Sequence, residues 1–272
     1  MDAELLKSKL QESLSQPLAL DVFDSLDSTN LEALRRIKSG DFKTTAIVAR
    51  TQTAGRGRRG KNWVSHADTG IYFSLMRNIA VSLTDLDGLS LVAALAAHQG
   101  LTDLGASNLK LKWPNDILYR KRKLAGILLE LQAPSSAEKQ ECMVIFGIGI
   151  NVQLDDASRS EINQAVTDLA ETDIGEVTNE SVIVAVLQKL EEYVGKFERD
   201  GFRPYQAHWN ELDHYLNQDI VIDNAGKRQI GKAAGVNDAG HLVLRTLKGE
   251  ETISGGEIFP SLRPAPQSED QS

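Results

Sequence analysis

The sequence has very little cysteine and no long hydrophobic run. Its single cysteine, Cys142, excludes a disulfide framework and a cysteine-rich zinc site, and is typical of a protein from a reducing cytosol. Cys142 begins an apolar run that ends at Phe146, which favours a buried structural thiol over a nucleophile. The longest apolar runs fall short of the roughly 18 residues that a membrane helix needs, and an acidic start with Asp2 and Glu4 is unlike a signal peptide. These absences predict a cytoplasmic protein without membrane contact.

The chain is also short of positive charge, because 30 basic residues against 38 acidic ones leave a net charge of −8. This balance argues against nucleic-acid binding. Ten of the basic residues nevertheless fall in two short clusters. They are Arg56, Arg58, Arg59 and Lys61 in the first cluster, and Lys110, Lys112, Arg120, Lys121, Arg122 and Lys123 in the second. Such cationic islands in an acidic protein fit a small anionic ligand, and they equally fit a solvated charged face.

A length of 272 residues, of which 41% are hydrophobic, fits one catalytic domain with a small appendage. Helical and β-like patterns mix over residues 1–215, which predicts an α+β or α/β domain around one sheet. Short β-like runs separated by turn sequences follow, which predicts a small all-β barrel over 216–265. The turn sequences are 224–226, 237–240 and 248–249. Residues 266–272 belong to a polar tail that we predict to be disordered.

Hydrophobic periodicity places the main elements. Strands are predicted at 22–26, 45–49, 70–76, 109–113, 123–130 and 143–150, and helices at 2–14, 30–40, 85–104 and 180–199. In the first helix the apolar positions are Leu5, Leu6, Leu10 and Leu14. The polar residues 27–30 are good N-caps for the second helix, and Gly40 is a typical residue to end it.

The segment Gly55-Arg-Gly-Arg-Arg-Gly60 formally satisfies the G-x-G-x-x-G pattern of dinucleotide-binding folds. That pattern needs a following helix and an acidic residue about 20 positions later. Here a turn and a strand follow, and residues 76–80 contain no carboxylate, so a Rossmann fold fits poorly. Glycines interleaved with arginines favour a loop that approaches a ligand closely and clamps its charged atoms. A flexible surface turn has the same composition.

Several segments together resemble the biotin protein ligase family. In chain order they are Asp27-Ser-Thr-Asn30, Gln52-Thr-Ala-Gly-Arg-Gly-Arg-Arg-Gly60 with Trp63, Lys112-Trp-Pro-Asn-Asp116, Arg122-Lys-Leu-Ala-Gly-Ile-Leu-Leu-Glu130, Gly147-Ile-Gly-Ile-Asn151, Phe197-Glu-Arg-Asp-Gly-Phe-Arg-Pro-Tyr205, Trp209 and Gly255-Gly-Glu257. The resemblance covers roughly residues 22–265, and its specificity lies in the order of the segments. It implies an α+β catalytic domain like that of class II aminoacyl-tRNA synthetases, with a central mixed sheet flanked by helices and a small C-terminal SH3-like β-barrel.

The resemblance also implies the reaction. ATP, with Mg²⁺, would convert biotin to biotinyl-5′-AMP, and the biotin would then pass to a lysine of a biotin carboxyl carrier protein, a subunit of acetyl-CoA carboxylase. The magnesium would be held by phosphates and water, so no dedicated metal site is expected. The resemblance leaves the protein as a monomer or a homodimer.

The roles of single residues follow from the resemblance and stand beside structural alternatives. The residues implied for biotin are Ser28, Thr29, Asn30, Gln52, Arg56, Gly57, Arg58 and Lys123. Those implied for ATP are Arg58, Arg59, Trp63, Asn115 and Asn151, and those implied for catalysis are Lys123, Arg58, Lys112 and Asp116. The alternatives are structural. Residues 28–30 would only cap the helix, Trp63 would only pack in the core, the lysines would be solvated at strand ends, and the glycines at 147 and 149 would serve only close packing.

Two other functions remain open from the sequence. A lipoate or octanoyl ligase or transferase could use the same catalytic fold, although the arginine-rich loop and the C-terminal module favour biotin. A biotin-sensing regulator would use the adenylate as a signal. Only about 20 residues precede Val22, too few for the three-helix DNA-binding domain of bifunctional family members, so we expect an enzyme that does not bind DNA.

Overall fold

A computed structural model of the chain describes residues 1–132, 142–224 and 226–260. The helices are α1 (Ala3–Ser13), α2 (Thr29–Lys38), α3 (Leu89–Asp103), α4 (Asp156–Glu161), α5 (Asn179–Asp200) and α6 (Gln206–Leu212). The strands are β1 (Ala19–Leu26), β2 (Thr45–Gln52), β3 (Gly70–Ile79), β4 (Leu109–Lys112), β5 (Asp116–Tyr119), β6 (Arg122–Gln132), β7 (Cys142–Asn151), β8 (Asp219–Asn224), β9 (Lys227–Val236), β10 (Leu242–Thr246), β11 (Gly249–Ile253) and β12 (Glu257–Pro260).

The first seven strands form one mixed sheet in the order β1-β2-β3-β7-β6-β5-β4. The edge pair β1 and β2 is parallel, while the other neighbouring pairs are antiparallel. The long apolar strands β3, β6 and β7 lie side by side at its centre. The predicted mixed sheet flanked by helices is therefore confirmed.

Two long helices cover one face of this sheet. The sequence of α3 is apolar on all sides, and eleven of its fifteen residues are buried between the sheet and α5. In α5 only one side is apolar, and its buried residues include Val186, Leu190 and Phe197. Within the described residues, no helix combines the length and the hydropathy needed to cross a membrane.

The opposite face is covered in part by α2. Ala33 and Ile37 of this helix pack with Ile47, Met76 and Ile145 in a second, smaller apolar cluster. Beyond this cluster, towards β4, the same face carries glycines and charged residues and borders two clefts. The sheet thus has an apolar side that stabilises the fold and a partly open side that can hold a ligand.

The structure contains two short helices, α4 and α6, that were not predicted, and it also departs from the prediction at α3 and at β5. A left-handed Gly88, with φ of 82°, lies inside the range 85–104 that was predicted as helix, so α3 begins only at Leu89. Strand β5 was not predicted, because its four residues are too few to show a periodicity. In α1, Leu6 and Leu10 are buried as predicted, whereas Leu5 is exposed and Leu14 is the C-cap residue beyond the helix.

The C-terminal strands form a separate antiparallel sheet in the order β11-β10-β9-β8-β12. Gly240 and Gly249, in two of the predicted turn sequences, have φ of 80° and 118°, a backbone conformation that favours glycine. The all-β character is confirmed, whereas a closed barrel is not, because no pairing between described residues joins β11 to β12. The tail predicted at 266–272 lies outside the described residues.

Candidate functional site

Three glycines form the floor of a cleft on the open face of the central sheet. Gly126 of β6 pairs with Gly149 of β7, and Gly147 lies two residues before Gly149 on the same face. A Cβ at Gly149 would lie 2.5 Å from Cε2 of Trp63, and one at Gly126 would lie 2.8 Å from its Cζ3. A Cβ at Gly147 would overlap the amide of Asn30. The absence of side chains at these glycines therefore makes room for groups that lie directly on the sheet.

Polar groups at the start of α2 form one wall of this cleft. Oε1 of Gln52 accepts from the backbone N–H of Thr29 at 2.9 Å. The hydroxyl of Ser74 hydrogen-bonds to Oγ1 of Thr29 at 2.7 Å and to Oδ1 of Asn30 at 2.6 Å. Ser28 is the N-cap of the helix, but its side chain makes no capping hydrogen bond. The wall thus holds Thr29 and Asn30 in place and leaves the Ser28 hydroxyl available to a ligand.

The loop that begins at Gly55 is held against the sheet by an ion pair. Nη1 of Arg56 lies 3.0 Å from Oε1 of Glu130, and the other carboxylate oxygen of Glu130 accepts from Nδ2 of Asn30 at 2.8 Å. Within the loop, the backbone N–H of Gly57 donates to the carbonyl of Lys61 at 2.7 Å. Glu130 therefore connects the loop to the wall at α2.

A largely buried ion pair lies at the glycine floor, on the side away from the start of α2. Nζ of Lys123 is 2.8 Å from Oδ1 of Asp116, and the two side chains are 15% and 13% exposed. The same ammonium lies 5.1 Å from the ring centroid of Trp63, within the range of a cation–π contact. These contacts keep one positive charge at a defined point of the cleft.

Two further cationic side chains lie near this ion pair and have no acidic partner among the described residues. Arg58 and Lys112 line the cleft, and neither forms an ion pair with any described residue. Burial lowers the pKa of Lys112, and burial together with the neighbouring Arg59 lowers the pKa of Arg58. Both shifts mean that burial disfavours the charged forms of these two side chains. An anionic ligand would remove the penalty.

The loop also contacts the C-terminal module. Nη1 of Arg59 donates to the carbonyl of Asp223 at 3.0 Å, and Nη2 donates to Oδ1 of Asn224 at 3.2 Å. Nζ of Lys61 forms an ion pair with Oε1 of Glu257. The glycine–arginine loop is thus anchored to both parts of the molecule, and its single 3-10 turn at Arg58–Gly60 is not the helix that a dinucleotide-binding motif requires.

Comparisons with known proteins identify the family to which the chain belongs. Residues 22–151 match the model of the biotin/lipoate A/B protein ligase family, and residues 216–259 match the biotin protein ligase C terminal domain. The bifunctional ligase/repressor BirA of Escherichia coli is 33% identical over 246 residues, a match that covers 90% of this chain and 74% of that protein. This chain belongs to the biotin protein ligase family.

Other relatives show the same likeness. The biotin–[acetyl-CoA-carboxylase] ligase of Paracoccus denitrificans is 31% identical over 237 residues, which cover 86% of this chain and 97% of that protein. A solved biotin protein ligase from Aquifex aeolicus, in complex with biotin and ATP, is 28% identical with a TM-score of 0.72, and the match covers 89% of this chain and 97% of that one.

Most of the predicted site residues of this family member meet in the cleft. The residues that line it are Ser28, Thr29, Asn30, Gln52, Arg56, Gly57, Arg58, Arg59, Trp63, Lys112, Asn115, Asp116 and Lys123. Arg59 directs its guanidinium to the C-terminal module, as described above. The half-buried Trp63 packs on the glycine floor and also faces the cleft. Its buried Nε1 has no hydrogen-bond partner among the described residues.

Two predicted nucleotide contacts have their side-chain amides engaged by the protein. Nδ2 of Asn115 donates to the carbonyl of Ile127 at 2.6 Å. Nδ2 of Asn151 donates to the carbonyls of Thr167 at 2.9 Å and Lys123 at 3.3 Å, and this residue lines the adjoining groove instead. The two amides hold the backbone of β6 at Lys123 and at Ile127, so they position this strand whether or not they touch a ligand.

The sequence reasoning missed four residues that the structure places at the site: Ser74, Glu130, Lys61 and Glu257. Ser74 had a signal, because a serine inside an apolar strand is buried and needs a partner. Glu130 and Glu257 are the last residues of two motifs that resemble the family, but no role was predicted for either. Lys61 was counted only as part of a basic cluster, because its partner is 196 residues away in the chain.

Proposed function

We propose that this chain activates biotin with ATP to give biotinyl-5′-AMP and transfers the biotin to a lysine of a carrier protein. The observation that carries the proposal is the unneutralised positive charge of Arg58 and Lys112 beside the Lys123–Asp116 pair. The reaction brings a carboxylate against a triphosphate, two anions that repel each other. A cleft with several fixed cations offsets that repulsion.

In the first step a carboxylate oxygen of biotin forms a bond to the α-phosphorus of ATP, and the bond to the bridging oxygen breaks. Pyrophosphate leaves with that electron pair. Lys123 would stabilise the charge that develops on the α-phosphoryl oxygens, since its ammonium is fixed by Asp116 and Trp63. Arg58 and Lys112 would neutralise the remaining phosphate charge from the loop and from β4.

In the second step the amine of the acceptor lysine forms a bond to the acyl carbon, and the bond from that carbon to the phosphate oxygen breaks. AMP leaves, and the amine loses a proton. A lysine amine is mostly protonated at neutral pH because its ordinary pKa is near 10.4. Asp116 would orient this amine and accept its proton once the charge of Lys123 is shared with the adenylate.

The neutral ring system of biotin fits the polar wall. Ser28, Thr29, Asn30 and Gln52 offer hydroxyls and amides, the groups that suit a ureido ring with both donors and acceptors. Arg56 and Gly57 would close over it from the loop. For ATP we propose Trp63, Arg58 and Arg59 as direct contacts, with Asn115 and Asn151 acting through the backbone that they hold.

Several finer assignments belong to the same proposal. The cleft carboxylates Asp116 and Glu257 are both paired with lysines, and no group of three or more His, Cys, Asp or Glu residues in the described chain could hold a metal ion. For magnesium we propose binding through the phosphates of ATP. We also infer that the acceptor is the biotin carrier subunit of acetyl-CoA carboxylase, that the enzyme works in the cytoplasm, and that the C-terminal module is an SH3-like barrel.

One experiment tests the function directly. The protein is incubated with ATP, Mg²⁺, biotin and a biotin carrier domain, and avidin blotting detects the product, with lipoate replacing biotin in a parallel reaction. We expect biotin transfer and no lipoate transfer, consistent with the biotin ligase C-terminal domain that the chain matches. Good lipoate transfer without biotin transfer would overturn the proposal. Adenylate formation without any transfer would instead favour a biotin-sensing regulator.

A further inference from the structure

The hairpin between β5 and β6 turns on two cationic residues in a left-handed backbone conformation. Tyr119 pairs with Arg122, so Arg120 and Lys121 are the two central residues of the turn, with φ of 48° and 66°. Two-residue hairpins with this conformation prefer Asn-Gly, because asparagine and glycine adopt a positive φ more readily than other residues. The strain costs roughly 1 kcal/mol per residue. A turn that keeps arginine and lysine in these positions suggests a use for their charges.

These residues belong to a larger positive surface, which we name the turn patch and define as Lys110, Arg120 and Lys121. All three side chains are exposed, and none forms an ion pair with a described residue. Arg120 acts on the carboxylate of Asp173, which is engaged by the hydroxyl and the backbone N–H of Ser107. Lys110 acts on the buried Asp213 and donates to the carbonyl of Glu211 at 3.2 Å, so among the described residues it has no acidic partner at the surface. The charge of the turn patch is therefore open to a partner.

The turn patch borders the catalytic groove. Lys121 lines the groove that also contains Asp116 and Lys123. The register pairs Lys110 with Leu118 and Lys112 with Asp116, and since every second residue of a strand points to the same side, Lys110 lies on the face of the ion pair. A molecule that binds the turn patch thus lies beside the point where an acceptor amine must arrive.

We propose that the turn patch is a docking surface for an acidic face of the acceptor protein, an inference that rests on the proposed function. The phosphates of ATP would already be matched by Arg58, Lys112 and Lys123, whereas the exposed cations of the turn patch lie outside that cleft. Because the chain carries a net charge of −8, an acidic acceptor is repelled by most of its surface and attracted here. This contrast orients the acceptor so that its lysine faces Asp116.

The test removes two positive charges of the turn patch by substitutions that should not destabilise the fold. The double variant Arg120→Asn/Lys121→Gly places the preferred Asn-Gly pair in the turn, so its melting temperature should equal or exceed that of the wild type. With the biotin carrier domain of acetyl-CoA carboxylase as acceptor, we expect KM for the carrier to rise about fivefold at low salt. The difference from the wild type should shrink at about 0.5 M salt, where charges are screened. Biotin-dependent adenylate formation should not change.

A matched control removes two charges elsewhere. Lys38 and Lys43 are exposed, form no ion pair with a described residue and lie near β2, at the opposite end of the sheet. Lys38→Gln/Lys43→Gln should leave KM for the carrier unchanged, which excludes an effect of net charge alone. Hydroxylamine, a small neutral acceptor, should react equally with adenylate on all three proteins.

The outcomes separate the two proposals. An unchanged KM for the carrier in the turn variant, or an equal rise in the control, would overturn the docking surface while wild-type biotinylation still supports the enzyme. A raised KM for ATP with an unchanged KM for the carrier would assign the turn patch to the nucleotide instead. If the wild-type chain formed no biotinyl-adenylate and biotinylated no carrier, the proposed function would fail and the docking proposal with it.

Discussion

Replacing Lys123 by methionine should abolish adenylate formation for an electrostatic reason that can be separated from folding. The side chain is long enough to fill the same space but carries no charge. Loss of one preorganised cation at developing phosphoryl charge typically costs at least about a hundredfold in rate, or about 2.7 kcal/mol of transition-state stabilisation. We expect that loss in biotin-dependent exchange of pyrophosphate into ATP, which reports the first step alone.

The same substitution should also reduce stability, because Asp116 would be left without its partner. The pair distance is 2.8 Å and both side chains are at most 15% exposed, so breaking one side costs about 3 kcal/mol. The double variant Lys123→Met/Asp116→Asn contains no charge at either position and should recover most of the free energy of unfolding in urea. It should remain as slow as Lys123→Met in the exchange assay.

The double variant can refute the catalytic role proposed for Lys123. If neutralising both residues restored exchange together with stability, Lys123 would serve only to balance Asp116, and the catalytic cation would have to be Lys112 or Arg58. Near-wild-type exchange in Lys123→Met alone would lead to the same conclusion. Transfer from synthetic biotinyl-5′-AMP to the carrier gives the second readout, and there Asp116→Asn should lose more activity than it loses in exchange.

Three other changes have defined outcomes. Arg58→Gly should release biotinyl-adenylate into solution about tenfold faster, since a charged contact to phosphate is lost; a tightly retained intermediate in rapid dialysis would contradict this. Glu257→Lys should raise adenylate release about threefold, because the new lysine repels Lys61. The charge-reversed double variant Lys61→Glu/Glu257→Lys should restore wild-type release. Fast release in the double variant would show that Glu257 contacts the ligand directly. Burial raises the pKa of Asp213 from 3.8 to about 6, and its Oδ2 has no partner among the described residues. At about 1.4 kcal/mol per pH unit, the wild type should lose up to about 3 kcal/mol of stability as the pH rises from 4 through 6. Asp213→Asn should therefore match the wild type at pH 4 and exceed its urea midpoint at pH 7; equal midpoints at pH 7 would refute the burial argument.

Periodicity and motif order in the sequence were sufficient for much of the fold. The apolar pattern of 180–199 predicted α5, and the capping residues before Leu31 predicted the start of α2. The ordered segments around Lys123 predicted the family and most of the residues that line the cleft. These properties are local: a helix stripe, a cap or a motif is complete within a few consecutive residues, so one sequence contains the whole signal.

Tertiary structure decided which of these residues act together. The glycines at 126, 147 and 149 form the floor of the cleft only because the register of β6 and β7 aligns them on the face below Trp63. Glu130 reaches Asn30 across 100 residues, and Lys61 meets Glu257 across 196. Pair energies of this kind depend on distance and burial in the folded chain, which local sequence does not encode. The residue types therefore determined the chemistry that is possible, and the packing of distant segments decided where the charges of Lys123, Arg58 and Lys112 would meet a substrate.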